Sequence, residues 1–230
     1  MFSSVSLDGL KLPEKTLCLT FDDGPGVTIG QVAGPKTLEL ARYLLQEKIV
    51  ATFFMTGVHI VKHPDIPPQV CALGHTIGNH SFTHARSFPE LLKAGWDIVS
   101  EIEMTDDLIR KFNPDDLIYF RAPWGEWSEE VARELNSKIK NQLHHIGPFY
   151  WEIGAMDWSF WLRGDSSENC ADYYLKEIIT KNRGIVLMHD STTDLVKARE
   201  NNLTFETVKI LIPRLKDLGY SFVGLNEIRL

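Results

Sequence analysis

At 230 residues the chain is long enough to bury one substantial core, and its 43% hydrophobic and 24% charged composition is that of a soluble globular protein. A net charge of −7 without a long Lys/Arg run argues against nucleic acid or an anionic membrane surface as the main partner. No apolar run approaches the ~20 residues of a membrane span.

Three cysteines, Cys18, Cys71 and Cys170, are an odd number with no CxxC spacing, which predicts reduced thiols. Met1 to Lys15 has neither a basic n-region nor an apolar h-region. The expectation is therefore a chain that stays inside the cell, unless a leader lies outside it. The sequence assigns no oligomeric state.

Taken in order, the apolar run Thr16 to Thr20 predicts a buried strand, and Gly26 to Gly34 a Gly-rich loop. Pro35 to Lys48 reads as an amphipathic helix with Leu38, Ala41, Leu44 and Leu45 on its apolar face. Val50 to Met55 is a second strand, Gly57 to Val61 starts a short helix, and Pro64, Pro67 and Pro68 punctuate the stretch after it. His75 to Asn79 predicts a third strand. Pro89 to Lys111 is the longest helical pattern, with Leu91, Ile98, Ile102 and Ile109 in register and Trp96 and Val99 widening the face.

Leu117 to Phe120 is the next strand, followed by a helix over Ser128 to Ile139 that opens on a capping serine. Tyr150 to Met156 reads as a strand, Ser166 to Asn182 as a helix and Ile185 to Met188 as a strand. Phe205 to Leu218 closes the helices and Ser221 to Leu225 the strands. Such alternation predicts an α/β fold with a parallel sheet, either closed into a barrel or open. No linker, repeat or low-complexity tract divides the chain, so one domain, residues 1–230, is expected.

Asp22 and Asp23, His80 and His84, Arg121, Asp157 and His189 all fall just after predicted strands. In an α/β barrel those carboxyl ends share the face on which active sites are built. Asp-Asp-Gly-Pro alone is ordinary turn chemistry, yet two adjacent carboxylates repel unless a cation or shared proton intervenes. His80 and His84, four apart, together with a carboxylate make a two-His, one-Asp donor set with a position left open for water. Catalytic zinc uses such sets, and non-haem iron shares them. His59, His63, His75, His144 and His145 are expected to be surface or internally bonded histidines.

TFDDGP at Thr20, HSFTH at His80, RAPWG at Arg121, DW at Asp157 and LMHD at Leu187 occur in that order. The ordered set resembles the five motifs of the NodB-homology polysaccharide deacetylases, carbohydrate esterase family four, and spans Thr20 to Asp190. The resemblance implies a distorted (β/α) barrel of seven or eight strands. It further implies a hydrolase that uses a divalent metal to remove acetyl groups from N-acetylated glycans or acetylated xylan. Zinc is the first expectation for that metal, with cobalt, manganese, nickel or iron as alternatives.

On the same resemblance Asp23, His80 and His84 hold the metal, and Asp22 is the general base, oriented by Arg121. His189 is the general acid, with Asp157 holding its imidazole. The backbone N–H of Trp124 would serve the oxyanion, and Trp158 and Leu187 would wall the acetyl pocket. Ser81 would orient the His loop or contact substrate. The implied partner is an acetylated glycan or amino sugar, such as a chitin oligomer or peptidoglycan fragment. An O-acetyl esterase, a small-amide hydrolase and an inactive glycan-binding relative remain as alternatives.

Three departures from the family pattern stand out. Gly154 lies three positions before Asp157, where a charged residue is frequent; Ala122 stands where Pro is common, and Trp124 where Tyr is common. The Gly26 to Gly34 loop and the segment Asn141 to Pro148 read as individual to this chain.

Overall fold

The computed structural model describes residues 1–140 and 142–228. Its organising strand is β1 (Thr16–Asp22), every residue of which is buried. A strand covered on both faces reads as a continuous apolar run rather than an alternating one, as Thr16 to Phe21 does. β1 pairs in parallel with β2 (Thr52–Met55) on one side and with β7 (Gly184–His189) on the other. β3 (Thr76–Asn79) adds beyond β2, and β6 (Ile153–Gly154) beyond β7. A short β8 (Ser221–Phe222) attaches at the start of β1.

β4 (Leu117–Tyr119) and β5 (His144–Ile146) form a separate parallel pair. The bridge between Asn79 and Phe120, with the Arg121 N–H donating to the Asn79 carbonyl at 3.1 Å, ties that pair to β3. All the pairings among these eight described strands are parallel, and they curve into the distorted barrel that the motif resemblance implies.

Helices cover the sheet where their apolar spacing dictates. α1 (Thr37–Gln46) buries Thr37, Leu40, Ala41 and Leu44 at i, i+3, i+4 and i+7. Leu45, expected on that face, is instead exposed. α2 (Gly57–Lys62) and α3 (Ile66–Ala72) follow β2, and the two prolines open α3, where a missing N–H costs nothing.

The single helix expected over Pro89 to Lys111 is two, α4 (Phe88–Lys93) and α5 (Ile98–Ile109). Gly95 takes a left-handed φ of 76° between them. Asp97 then accepts from the Val99 and Ser100 N–H groups, at 3.0 and 3.2 Å, to start α5 afresh. Trp96 falls in the break and is 66% exposed, so it widens no apolar face.

α6 (Glu129–Lys138) is capped by Ser128, α7 (Asp157–Arg163) opens on the DW motif, and α8 (Ser167–Lys181) runs from Ser166 as N-cap to Asn182, which is left-handed at φ 64°. α9 (Val196–Glu200) and α10 (Thr204–Asp217) complete the set, and α10 packs on both α1 and α8. The main core lies between β1, β2, β3 and β7 and these helices, with Phe21 stacked on Phe53 at 5.1 Å and Trp161 wholly buried.

One further expectation changes. The strand expected over Tyr150 to Met156 shrinks to β6, because Gly154 and Ala155 adopt φ of 93° and 70° and turn the chain away from the sheet. The segment Asn141 to Pro148 contains β5, short and opened by two histidines; Asn141 itself lies outside the described residues. Cys18, Cys71 and Cys170 are free thiols, as expected. Among the described residues no helix is long and apolar enough to cross a membrane.

Candidate active site

The carboxyl ends of β1, β3, β4 and β7 converge on a cavity of about 360 Å³. Asp22, Asp23, His80, His84, Trp124, Trp158, Leu187 and His189 line it. Its making is local. Asp22 ends β1, Asn79 ends β3 just before His80, and His189 ends β7 in register opposite Asp22. Consecutive side chains of a strand point to opposite faces. The left-handed backbone at Asp23 (φ 72°) breaks that alternation and turns both carboxylates into one pocket. Asp tolerates that conformation better than most residues, and strain of this kind concentrates at functional sites.

Asp22 and Asp23 both face His80 but otherwise have different partners. Asp22 Oδ1 accepts from Arg121 Nη1 at 2.8 Å, with both side chains buried. Arg121 is itself enclosed: Nη1 donates to Thr20 Oγ1 at 2.7 Å, Nε to the Phe149 carbonyl and Nη2 to the Tyr150 carbonyl, each at 3.2 Å. Its guanidinium lies 4.4 Å from the centre of the Phe54 ring. Asp22 Oδ2 faces His80 Nε2 at 3.5 Å.

Asp23 Oδ1 stands 3.5 Å from His80 Nε2 and 3.5 Å from His84 Nε2. One donor atom from each of the three residues lies within 4.8 Å of the others, forming an Asp-His-His cluster able to hold a metal ion. Asp23 Oδ1 is also buried without a hydrogen-bond partner. An orphaned carboxylate oxygen facing two imidazole nitrogens is what a cation site requires, since such an atom is costly to bury otherwise. Burial would raise the Asp23 pKa, but His84, His80 and His189 beside it outweigh burial and hold it below the ordinary value. Burial lowers the pKa of His80 and so favours the neutral ring that ligates metals. His84 goes the other way: burial opposes its charge, but Asp23 and Asp194 together raise its pKa.

The HSFTH loop is pinned from outside the motif. His80 Nδ1 faces the Arg121 carbonyl at 2.9 Å. Glu101 accepts from the Phe82 and Thr83 N–H groups and from the Thr83 hydroxyl, at 3.1, 2.8 and 2.8 Å. Ser81 is fully buried beneath the loop, where its hydroxyl accepts from the His84 N–H at 3.1 Å.

Across the cavity, the Asp157 carboxylate accepts from His189 Nδ1 at 2.7 Å, from the His189 N–H at 2.6 Å and from the Thr204 hydroxyl at 3.1 Å. Burial works against a charged imidazole here, yet Asp157 more than compensates and raises the His189 pKa to about 9. Trp124 is left-handed at φ 62° and 56% exposed at the rim. Leu187 is buried, and its carbonyl accepts from the Tyr174 hydroxyl at 2.7 Å.

Residues outside the motifs complete the cavity. Trp151, Ala155, Thr192, Asp194 and Leu195 also line it, and Trp151 stacks on Tyr150 at 4.5 Å. His59, expected to be surface or bonded, is buried and faces the Asp23 carbonyl oxygen at 2.5 Å. Short-range sequence pattern carries no signal for these, because each is brought in by the chain on either side of β6, by the loop after β7 or by α2 after β2. His75 and His145 are internally bonded: His75 accepts from the Ala51 N–H at 3.2 Å, and His145 pairs with Asp106 at 2.8 Å.

Gly154, the departure beside the DW motif, has a structural cause. At φ 93° a Cβ there would lie 2.3 Å from Tyr174 Cε1 and 2.5 Å from the Leu187 carbonyl oxygen. The place a side chain would need is filled by the residues that back the pocket wall.

Fold and site thus define a class: an α/β barrel whose strand ends bear an Asp-His-His cluster beside a buried Asp–Arg pair and an Asp–His pair. Residues 9–140 match the family model described as polysaccharide deacetylase, and the chain belongs to that family. Among curated relatives, it is 27% identical to a chitooligosaccharide deacetylase of Rhizobium leguminosarum bv. trifolii over 98% of this chain and 97% of that protein. It is 30% identical to a peptidoglycan-N-acetylglucosamine deacetylase of Bacillus cereus over 93% of this chain and 70% of that one. Among solved structures, it superposes on a polysaccharide deacetylase of Bacillus cereus with a TM-score of 0.65, at 26% identity and 92% coverage of each chain. A peptidoglycan deacetylase of Bdellovibrio bacteriovorus gives a TM-score of 0.64 at 28% identity, covering 93% of this chain and 53% of that one.

Proposed function

We propose that this protein is a divalent-metal-dependent hydrolase that removes N-acetyl groups from a chitin-oligomer- or peptidoglycan-like glycan. The observation that carries the reading is the convergence of Asp23 Oδ1, His80 Nε2 and His84 Nε2 beside a second carboxylate, Asp22, whose Oδ1 is taken by Arg121 while its Oδ2 faces His80. Relatives named as chitooligosaccharide and peptidoglycan deacetylases support the substrate class.

Asp23, His80 and His84 would hold the ion, zinc being the expectation for two imidazoles and a carboxylate. When bound, such an ion supplies Lewis acidity that makes water a nucleophile near neutral pH and polarises the acetyl carbonyl. Asp22 takes the proton of the attacking water: its Oδ2 faces the cluster, while Arg121 occupies Oδ1 and fixes the plane of the carboxylate. The backbone N–H of Trp124 donates to the oxygen on which negative charge develops.

His189 delivers a proton to the departing amine, a role for which its pKa of about 9 keeps it charged at neutral pH. Asp157 takes Nδ1, which leaves Nε2 to face the substrate. Leu187 and Trp158 give the acetyl methyl an apolar wall, and the rim ring of Trp124 offers a face to a sugar.

Acetate release from an N-acetylglucosamine oligomer tests the reading. Turnover should cease on chelation and return with Zn²⁺ or Co²⁺. Tight oligosaccharide binding without acetate release under any divalent metal would overturn it. An O-acetyl ester substrate would be revealed by His189→Ala, which should then cost little rate, because an alkoxide leaving group needs less help from an acid than an amine does.

A further inference from the structure

We propose that Asp194 is the positioning residue for His84: it keeps the imidazole proton on Nδ1, turns the Nε2 lone pair toward Asp23 and His80, and so raises the cluster's affinity for a divalent cation. The inference rests on the cation reading of the cluster given above.

An imidazole ligates through an unprotonated nitrogen, and which nitrogen that is depends on the partner of the other one. His80 has its partner in the main chain, where the Arg121 carbonyl sits 2.9 Å from Nδ1. At His84 the place of that carbonyl is taken by a side chain: Asp194 Oδ2 stands 3.3 Å from Nδ1, while Nε2 faces Asp23 Oδ1 at 3.5 Å. Both imidazoles therefore present the same edge to the cluster, one fixed by backbone and the other by a carboxylate 110 residues away in sequence.

The chain around Asp194 is built to hold this contact. Its neighbour Thr193 donates its N–H to Asp23 Oδ2 at 3.3 Å, so one short loop after β7 touches two of the three cluster residues. The loop is closed on itself by the Thr192 hydroxyl, which donates to the Leu195 carbonyl at 2.9 Å. It is anchored to α9 by Arg199 Nη1, which donates to the Thr192 carbonyl at 3.1 Å. Thr192, Asp194 and Leu195 also line the cavity, so the loop forms a wall of the pocket and supports the cluster at once.

Partners of this kind are worth about 10–100-fold in metal affinity. Asp194 is 38% exposed, and water competes for Nδ1 when it is removed, which sets the expectation at the lower end.

The test is equilibrium titration of the cation-free full chain with Zn²⁺ at fixed pH against a competing chelator, for wild type, Asp194→Asn and Asp194→Ala. Asp194→Ala should bind about tenfold more weakly, and Asp194→Asn, whose amide oxygen still accepts from Nδ1–H, should recover most of the loss. Recorded at a pH where the ring is neutral, above its raised pKa, long-range ¹H–¹⁵N spectra of the cation-free proteins should show His84 as the Nδ1–H tautomer in wild type and Asn variant, and a mixture in the Ala variant. Affinity for Asp194→Ala within twofold of wild type, or tighter, would overturn the proposal, as would an unchanged His84 tautomer. Wild type that binds no cation at all would instead refute the cation reading on which the proposal stands.

Discussion

Asp22 and Asp23 are adjacent in sequence but are assigned opposite duties, and Asp22→Asn separates them. The substitution keeps size and one acceptor oxygen while removing the base and the charge that faces Arg121. Arg121 is wholly buried, so losing its charged partner is expensive. Breaking a buried pair costs about 3–5 kcal/mol. The asparagine oxygen, the Thr20 hydroxyl and the Phe149 and Tyr150 carbonyls still receive the guanidinium donors, which places the cost near 3 kcal/mol. For a chain of this size that is a Tm lower by roughly 6–12 °C, leaving a folded protein to assay.

General-base catalysis is worth about 10²–10⁴ in rate, so acetate release should fall by that factor. Zn²⁺ affinity should change little, because the cluster is built on Asp23, His80 and His84. Asp23→Ala should show the converse pattern, with affinity lost first. Turnover above a tenth of wild type in Asp22→Asn with zinc bound, or zinc affinity lost alongside turnover, would refute the division of labour.

The remaining expectations concern pH and packing. His189 is raised from an ordinary 6.5 to about 9, so its contribution to stability is complete below 6.5 and is lost as pH rises toward 9. In the cation-free protein, Asp157→Asn should therefore destabilise most near about pH 6 and progressively less toward about pH 10; thermal melts across that range giving a constant difference would contradict it. Gly154→Ala should cost about 2–4 kcal/mol, from positive φ plus overpacking against Tyr174 and the Leu187 carbonyl. A Tm within a degree or two of wild type would show that this wall yields.

What could be read from the order of residues was local. Ser128, Ser166 and Asn182 end their helices where their chemistry predicts, since capping depends on side chains one to three residues away. The motifs at strand ends could likewise be recognised one by one, and they fall in the family's order. The break at Gly95 to Asp97 was in principle present too, but the apolar period of Leu91, Ile98 and Ile102 carries across it, and periodicity does not register a change of axis.

Tertiary structure decided the rest, because distance in space is set by sheet register and loop closure rather than by spacing along the chain. It sent Asp22 to Arg121 and its neighbour Asp23 to two imidazoles, through a single left-handed turn. It carried Asp194 across 110 residues to His84, and it brought Glu101 under the HSFTH loop from a helix with no motif of its own. It also reserved the space beside Gly154 for Tyr174. The sequence alone determined which chemistry-bearing groups the chain possesses and the order in which strands deliver them; packing determined which of those groups meet, because contact energies act between neighbours in space.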